Sequence, residues 1–374
     1  MTAHEFLRPR FTGDRFQEHS LPLEMLRDLA VLEEMIVEVA KWKYLQENPD
    51  RKRSPRRFTD GISLKLTGVE DGSAVPIIAL VVSAATLFPL DNQQYFEKAR
   101  DAVIAAISAA EHNEPIARHL PEKVLSYFDR FGRSLRDGEA IEFLVAQNPD
   151  PARLTRETRR KLVLESTTVT EVSEETMVRG RVSEADQHNM TFEIQFPDGK
   201  KVRAPIDPQH LDVVLEAFNG YRDGLRLMVQ GIGKFNRQER LLCFVSIEHL
   251  TILEPLDVSA RLDELRTLAD GWCEGAGKAP SSPGLDWLAE SFNRRYPEEL
   301  PLPHLYPTPA GGVQAEWSFP SADITVDIDT EQRVGHWHVL NLQSDAEETR
   351  KLSLAQDDDW AWMVGQMRQY SQGK

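Results

Sequence analysis

The chain has 374 residues, of which 41% are hydrophobic and 28% are charged, and its formal net charge is -16. These proportions are typical of a globular protein with two or three domains, and no apolar run reaches the roughly 20 residues that a membrane span needs. The N-terminus lacks the apolar segment of a signal peptide, and two cysteines in unrelated contexts exclude a disulfide framework or a cysteine zinc site. We therefore expect a cytoplasmic protein with no membrane partner.

The first 150 residues are predicted to form an α+β domain with a β-hairpin and helices. Apolar residues recur at helical spacing over residues 20–47 and again over 92–111. Between these helices, residues 62–69 and 74–82 read as two strands that turn at 70–73. Pro76 predicts an edge position for the second strand, because proline has no N–H to donate to a neighbour.

A basic loop is predicted between the first helix and the hairpin. Its charged residues are Arg51, Lys52, Arg53, Arg56 and Arg57. Such a run could contact a nucleic acid or another anionic partner. No aromatic residue is interleaved for base stacking, so a solvated loop is the simpler interpretation.

Residues 165–255 show the clearest pattern, which is three strands, a short helix and two further strands. Asp198 and Gly199 predict the turn of a hairpin, and Asp207 followed by Pro208 predicts the start of the helix. This order resembles an OB-fold, and the resemblance implies a central five-stranded β-barrel whose surface can hold single-stranded nucleic acid or oligosaccharide. The pattern carries no signature residues.

Strand alternation assigns a basic outer surface to the predicted barrel. The residues placed outward are Arg179, Arg181, Lys201 and Arg203, whereas Phe192 and Phe196 are placed inward. The loop between the last two strands adds Lys234, Phe235 and Arg237, in which Phe235 is the aromatic expected to be exposed. This surface suits either a nucleic acid or a protein partner.

Residues 257–374 are predicted to form an acidic α+β domain with a three-stranded sheet between helices. The predicted strands are residues 313–319, 323–329 and 336–342, and the last helix is predicted from Asp357 to Tyr370. They hold 10 basic and 20 acidic residues, a net charge of -10. Such a charge repels phosphate backbones and attracts a basic partner, such as a toxin directed at nucleic acid.

A candidate metal site lies on this predicted sheet. If residues 330–335 form a turn, Asp329 faces His336 and Asp327 faces His338 on one face of a hairpin. Two carboxylates and two imidazoles could bind a divalent metal. The alternative is a polar, solvent-facing surface, since no enclosing cavity is indicated.

The sequence lacks the motifs of several common enzyme classes. Gly275, Ala276, Gly277 and Lys278 are followed by Ala279, where a phosphate loop needs a hydroxyl for magnesium. No Gly-x-Ser-x-Gly elbow and no zinc-protease helix motif occur. The sequence predicts no cofactor, and an enzyme is the less favoured interpretation.

One segment of the C-terminal part carries a resemblance of its own. The residues Tyr306 to Pro309 followed by Gly311 to Trp317 resemble a segment of uncharacterised bacterial proteins from toxin-antitoxin or antiphage gene neighbourhoods. The resemblance implies a role in such a defence system and assigns no catalytic residue.

The sequence thus predicts an α+β multidomain protein with three domains, residues 1–150, 165–255 and 257–374. We expect a non-enzymatic binding or regulatory component that docks a protein partner. One alternative is a single-stranded nucleic-acid-binding protein acting through the barrel. The other is a metal-dependent enzyme that uses the Asp327, Asp329, His336 and His338 face.

Overall fold

The computed structural model describes residues 2–19, 21–70, 74–82, 92–145, 148–166 and 169–371. The predicted α+β class is confirmed. The helices of the described residues are α1 (Met25–Glu47), α2 (Gln93–Glu111), α3 (Glu122–Leu125), α4 (Arg156–Leu164), α5 (Leu211–Asn219), α6 (Val258–Leu265), α7 (Ser282–Arg295) and α8 (Asp357–Ser371). Among the described residues, no helix combines the length and the apolar character needed to cross a membrane.

Sixteen strands accompany these helices in the part of the chain that is described. They are β1 (Thr2–Leu7), β2 (Arg10–Thr12), β3 (Ile62–Glu70), β4 (Val75–Val82), β5 (Ala140–Val145), β6 (Asn148–Thr155), β7 (Glu171–Asp186), β8 (Thr191–Gln195), β9 (Lys201–Pro205), β10 (Leu227–Asn236), β11 (Leu241–Ile252), β12 (His304–Pro307), β13 (Val313–Phe319), β14 (Ala322–Asp329), β15 (Val334–Asn341) and β16 (Glu347–Ser353).

The chain divides into two compact units. Unit 1 comprises residues 1–176 and 232–243, and unit 2 comprises residues 177–231 and 244–374. The division passes through three strands, β7, β10 and β11, which each contribute residues to both units.

Unit 1 contains two small sheets packed with α1 and α2. The first sheet has the order β1-β4-β3 and the second the order β2-β5-β6. Helix α1 turns Met25, Leu32, Met35 and Val39 into the core, because these residues recur on one face of the helix. Helix α2 packs against α1, and its buried residues include several small alanines.

The edge position predicted for the strand that holds Pro76 is wrong. That strand is β4, the central strand of its sheet. Strand β1 pairs with β4 only from Val82 to Ile78, so the missing N–H of Pro76 lies beyond the end of β1. On the other side, Pro76 stands opposite Val69 of β3. The turn predicted at Asp71, Gly72 and Ser73 lies outside the described residues.

The charged segment that precedes the barrel forms β6 and α4. Within α4, Arg159 is buried and donates from Nη2 to the carbonyl oxygens of Asp129 (2.7 Å) and Ser173 (2.6 Å). Burial lowers the pKa of Arg159 to about 10, since the charged form loses its hydration. This helix is therefore part of the core of unit 1.

Strands β7 to β11 form a closed barrel with the order β10-β11-β9-β8-β7. The predicted hairpin turn is confirmed, because Gly199 adopts a φ of +81° between β8 and β9 and donates its N–H to the carbonyl of Phe196. Helix α5 lies between β9 and β10 in the chain. The inward position predicted for Phe192 is confirmed, since its side chain is buried together with those of Val182, Ile194 and Val202.

The sheet of the C-terminal part has five strands in the order β12-β13-β14-β15-β16, where three were predicted. Strand β13 has the predicted bounds, and β14 and β15 differ from the prediction by one or two residues. Apolar residues of α6, α7 and α8 cover one face of this sheet, where Trp317, Trp337 and Trp360 are buried. The other face carries the polar residues of each strand.

Candidate binding sites

The four basic residues predicted on the barrel lie on its outer surface. Arg179 and Arg181 belong to β7, and Lys201 and Arg203 belong to β9. Strand β8 lies between them, where Gln195 pairs with both Arg181 and Lys201, and Glu193 pairs with Arg203. The structure therefore brings the predicted residues onto one three-stranded surface.

Two of these four charges are neutralised by neighbouring carboxylates. Lys201 Nζ lies 2.7 Å from Glu193 Oε1, and Arg179 Nη1 lies 3.3 Å from Asp263 Oδ2. Arg181 is half-buried and Arg203 is exposed, and neither forms an ion pair with any of the described residues. Arg181 and Arg203 are thus the two residues of this set without an ion pair to the described residues, and Arg203 stands opposite Glu193.

Arg181 lines a cavity of about 290 Å³ in unit 2. The cavity lies where β7, the turn after β8, the segment after α5 and helix α6 approach each other. Gly180 is needed on the wall because a Cβ there would stand 2.6 Å from Ile194 and 2.7 Å from the carbonyl oxygen of Gln195. Arg179 and Arg181 flank this buried glycine on β7 and face the outer side, because successive side chains on a strand alternate between its two faces.

Two ion pairs join helix α6 to the barrel at this cavity. One is Arg179 with Asp263, and the other is Arg226 with Glu264. Burial raises the pKa of Asp263, although Arg179 acts in the opposite direction. Both carboxylates are matched by arginines, so Arg181 gives the lining a net positive charge.

The cavity also contains aromatic side chains that the sequence did not assign to a site. Phe196, predicted to point inward, is half-buried and lines the cavity, because β8 ends at Gln195 and the alternation ends with it. Tyr221 follows α5 and donates its hydroxyl to Gln195 Oε1 at 2.6 Å. No periodic signal marks Tyr221, since it lies in a turn.

The predicted basic loop is confirmed as an exposed, irregular segment between α1 and β3. Arg51, Lys52, Arg53 and Arg56 form no ion pair within the described part of the chain, and Arg57 Nε stands 3.6 Å from Asp60 Oδ2. Phe58, which follows directly, is buried against the ring of Phe96 and anchors the loop. With respect to the described residues, the loop offers four cations without an ion pair and no exposed aromatic ring.

The residues predicted in the loop between β10 and β11 are less available than expected. Strand β10 extends to Asn236, so Lys234 and Phe235 belong to the strand, and Phe235 is half-buried. Lys234 Nζ pairs with Glu171 Oε2 at 3.0 Å, and Arg237 donates to the carbonyl of Leu164 at 3.2 Å. Phe235 is therefore a half-buried residue of β10 rather than an exposed residue of the loop.

The register expected for the Asp and His residues of the C-terminal sheet is shifted by two residues. The turn is shorter than expected, so Asp329 faces Val334, Asp327 faces His336, and His338 faces Thr325. Asp329 instead accepts the backbone N–H groups of Glu331 and Gln332 within the turn.

These side chains lie on one polar face, but they do not converge on one point. Asp327 and His336 are the single direct pair among the four. His338 Nε2 lies 3.4 Å from Glu347 Oε2 on the neighbouring strand. Across the described residues, no group of three His, Cys, Asp or Glu side chains is arranged to hold a metal ion.

A further surface, which the sequence did not indicate, is an apolar groove in unit 1. It has a volume of about 160 Å³ and runs between α1 and β3. Its walls include Leu7, Leu26, Leu29, Leu64, Leu66 and Ile78. Leu26 is 40% exposed and Leu66 is 47% exposed, so both present apolar surface to the solvent.

Strand β3, which forms one wall of the groove, is an edge strand within the described residues. The backbone N–H of Leu64 donates to Glu33 Oε1 at 3.4 Å and therefore points away from β4. In an antiparallel pair such groups alternate along a strand, so the backbone of Leu66 points the same way. The groove thus combines apolar side chains with outward backbone hydrogen-bonding groups.

Comparison of the chain with models of known protein families, with curated proteins and with solved structures gave no match.

Proposed function

We propose that this protein is a non-enzymatic binding component that docks a protein partner in the groove between α1 and β3. The observation that carries this proposal is the pair of exposed leucines, Leu26 and Leu66, beside an edge strand. Burying a leucine side chain completely is worth about 1.5–3 kcal/mol, so each half-exposed leucine leaves roughly 1 kcal/mol for a partner to gain.

The groove fits an extended segment of the partner. A strand laid along β3 would bond to the backbone groups of Leu64 and Leu66 and place every second side chain over α1. The long bond from Leu64 to the Glu33 carboxylate is close to the limit of a hydrogen bond, and a carbonyl of the partner would replace it. Edge strands that carry apolar residues are the usual templates for such pairing.

The charge of the C-terminal part supports a basic partner. The open face of its sheet presents Glu316, Asp323, Asp327 and Glu347, against one nearby lysine, Lys351. A basic protein would be attracted to such a surface before docking. We therefore favour a regulatory or neutralising role toward a basic protein, for which a toxin directed at nucleic acid is the candidate.

The test compares the full-length chain with Leu26→Ser and Leu66→Ser in capture experiments from the source cells. Leu144→Ser is the matched control, because Leu144 is 73% exposed on β5 and lies outside the groove. We expect a basic protein that is captured by the wild type and the control and is lost from both groove variants. With the purified partner, each groove substitution should weaken binding about fivefold or more.

Hydrogen exchange then locates the contact. Amides of β3 should exchange more slowly in the complex, because the partner's strand protects outward N–H groups. A partner that binds all four proteins equally, or that leaves β3 unprotected, would refute docking in the groove.

Single-stranded nucleic acid is a second candidate partner. The strand order of the barrel, with α5 between its third and fourth strands, supports an OB-type barrel, the class that holds single strands on its outer surface. Arg181 and Arg203 stand on this surface without an ion-pair partner among the described residues.

Salt dependence tests this candidate. Each neutralised phosphate contributes about -0.7 to the slope of log affinity against log salt, so two arginines predict a slope of roughly -1.4. The double variant Arg181→Gln, Arg203→Gln should remove that slope for a 12-nucleotide oligothymidine. An oligonucleotide that fails to bind at low salt would exclude this candidate and leave the protein partner.

A further inference from the structure

We infer that the cavity lined by Arg181, Phe196 and Tyr221 binds one nucleotide unit, with its phosphate on Arg181 and its base against the two aromatic rings. This inference goes beyond the docking proposal, because the groove belongs to unit 1 and every residue lining the cavity belongs to unit 2. Either can therefore fail without the other.

The size of the cavity limits the ligand. At about 290 Å³ it lies at the lower end of the roughly 300–1,000 Å³ found for small-molecule sites. This volume suits a single nucleotide and excludes a run of stacked bases. The cavity is also distinct from the outer surface of Lys201 and Arg203, which are not among its lining residues.

The charges of the cavity favour one anionic group. Arg179 and Arg226 are held by Asp263 and Glu264, so their charges are matched within the site. Arg181 has no such partner among the described residues, and its terminal nitrogen would lie 3.9 Å from a Cβ placed on Gly224, at the turn after α5. A planar guanidinium with free donors is the group best suited to a phosphate.

The remaining lining supplies contacts for a base. Phe196 and Tyr221 are half-buried, so each ring has one part packed in the protein and one part available to a ligand. Stacking on such rings tolerates any base, because every base has a π face. Gln195 lies beside Tyr221 and is fixed by the 2.6 Å bond from its hydroxyl, which places a polar amide at the edge of the site.

The experiment is isothermal titration of the full-length protein with AMP, GMP, CMP and UMP, and with adenosine as the ligand without phosphate. We expect binding of at least one monophosphate, and Arg181→Gln should weaken it about tenfold or more. The same variant should change adenosine binding less than twofold. Phe196→Leu should weaken the nucleotide and adenosine alike, by about fivefold.

Arg222→Gln is the matched control, because it removes the same charge from an exposed residue of unit 2 that does not line the cavity. It should leave monophosphate affinity within twofold of the wild type. Equal losses in Arg181→Gln and Arg222→Gln would show attraction by an open surface and overturn the inference. The absence of binding by all four monophosphates at millimolar concentration would overturn it as well.

A 5′-phosphorylated tetranucleotide identifies the source of the nucleotide unit. If it binds as tightly as the monophosphate and depends equally on Arg181, the site accepts the end of a strand. If the monophosphate alone binds, the site takes a free nucleotide. Both results support a cavity for one nucleotide unit.

Discussion

The Glu174 carboxylate provides a sharp test of how α4 is held against the start of β7. Its side chain is 3% exposed and accepts from two arginines of α4, with distances of 2.5 Å to Arg156 Nη2 and 3.1 Å to Arg160 Nη1. Replacing it by glutamine keeps the shape and removes the charge. Two guanidinium groups are then left without their shared counter-ion.

The expected cost follows from the exposure of the three groups. Removing one partner of a buried ion pair costs about 3–5 kcal/mol, because the remaining charge stays desolvated. Arg160 is 12% exposed and keeps the largely exposed Glu239 at 3.7 Å, so it takes most of this penalty. Arg156 is 37% exposed and keeps Asp137 at 3.1 Å. We therefore expect Glu174→Gln to lower the free energy of unfolding by about 3 kcal/mol, the lower end of that range.

Thermal unfolding of the full-length protein measures this loss. For a unit of this size, about 3 kcal/mol corresponds to a decrease of roughly 6–12 °C in the unfolding temperature of unit 1. Glu157→Gln is the matched control, since Glu157 is 79% exposed and pairs with Lys161 across one helical turn. It should change the free energy of unfolding by less than about 0.5 kcal/mol. Equal effects of the two substitutions would refute the buried-pair reasoning.

Two further predictions concern a buried acid and the proposed metal ligands. Burial raises the pKa of Asp28 above its ordinary value of 3.8, so ionisation of this carboxyl destabilises the folded chain as pH rises. Asp28→Asn should therefore be at least as stable as the wild type at pH 7. Chemical unfolding at several pH values should show this advantage vanish below about pH 3.5, and an advantage that persists there would contradict the mechanism. Equimolar Zn²⁺ or Mn²⁺ should leave the unfolding temperature unchanged both in the wild type and in His336→Ala. The reason is that His336 directly faces just one of the other three candidate ligands, Asp327, which is too few for a metal site. Stoichiometric metal that survives purification and is lost in His336→Ala would support the metal-dependent enzyme instead.

Elements with strong periodicity could be predicted from the sequence. The strand from Val313 to Phe319 has the predicted bounds, since its apolar residues alternate without interruption. Helix α8 begins at the predicted Asp357, where three acidic residues favour the N-terminal end of the helix dipole. Such signals are local, so a single sequence suffices for them.

Positions that depend on pairing partners could not be predicted in the same way. The turn after Asp329 is shorter than expected, and for this reason His336 lies opposite Asp327 instead of Asp329. Pro76 occupies a central strand because its neighbour β1 ends before reaching it, a fact about another segment of the chain. The sequence does not distinguish Arg159 from its charged neighbours, and only the fold shows that it is buried and donates hydrogen bonds to two carbonyl oxygens.

The candidate sites show the same difference between local sequence signals and positions that depend on distant partners. Alternation placed Arg179 and Arg181 correctly on the outside of the barrel, but it carried no information on which charge remains free. That distinction depends on Asp263, which lies 84 residues further along the chain and neutralises Arg179. The apolar groove could not be predicted either. The sequence identifies the strand that holds the exposed Leu66, but it does not reveal that this strand lies at the edge of its sheet.

The long strand β7 explains why residues 165–255 do not coincide with a unit of the structure. Its first residues belong to unit 1, where Glu174 is paired with arginines of α4. Its later residues belong to unit 2, where Arg179 is paired with Asp263 of α6. Both helices lie outside residues 165–255, so a fragment cut at these bounds loses a counter-ion for Glu174 at one end and for Arg179 at the other. The strand order of the barrel is therefore determined by the barrel strands themselves, whereas the ion-pair partners of Glu174 and Arg179 belong to helices before and after the barrel.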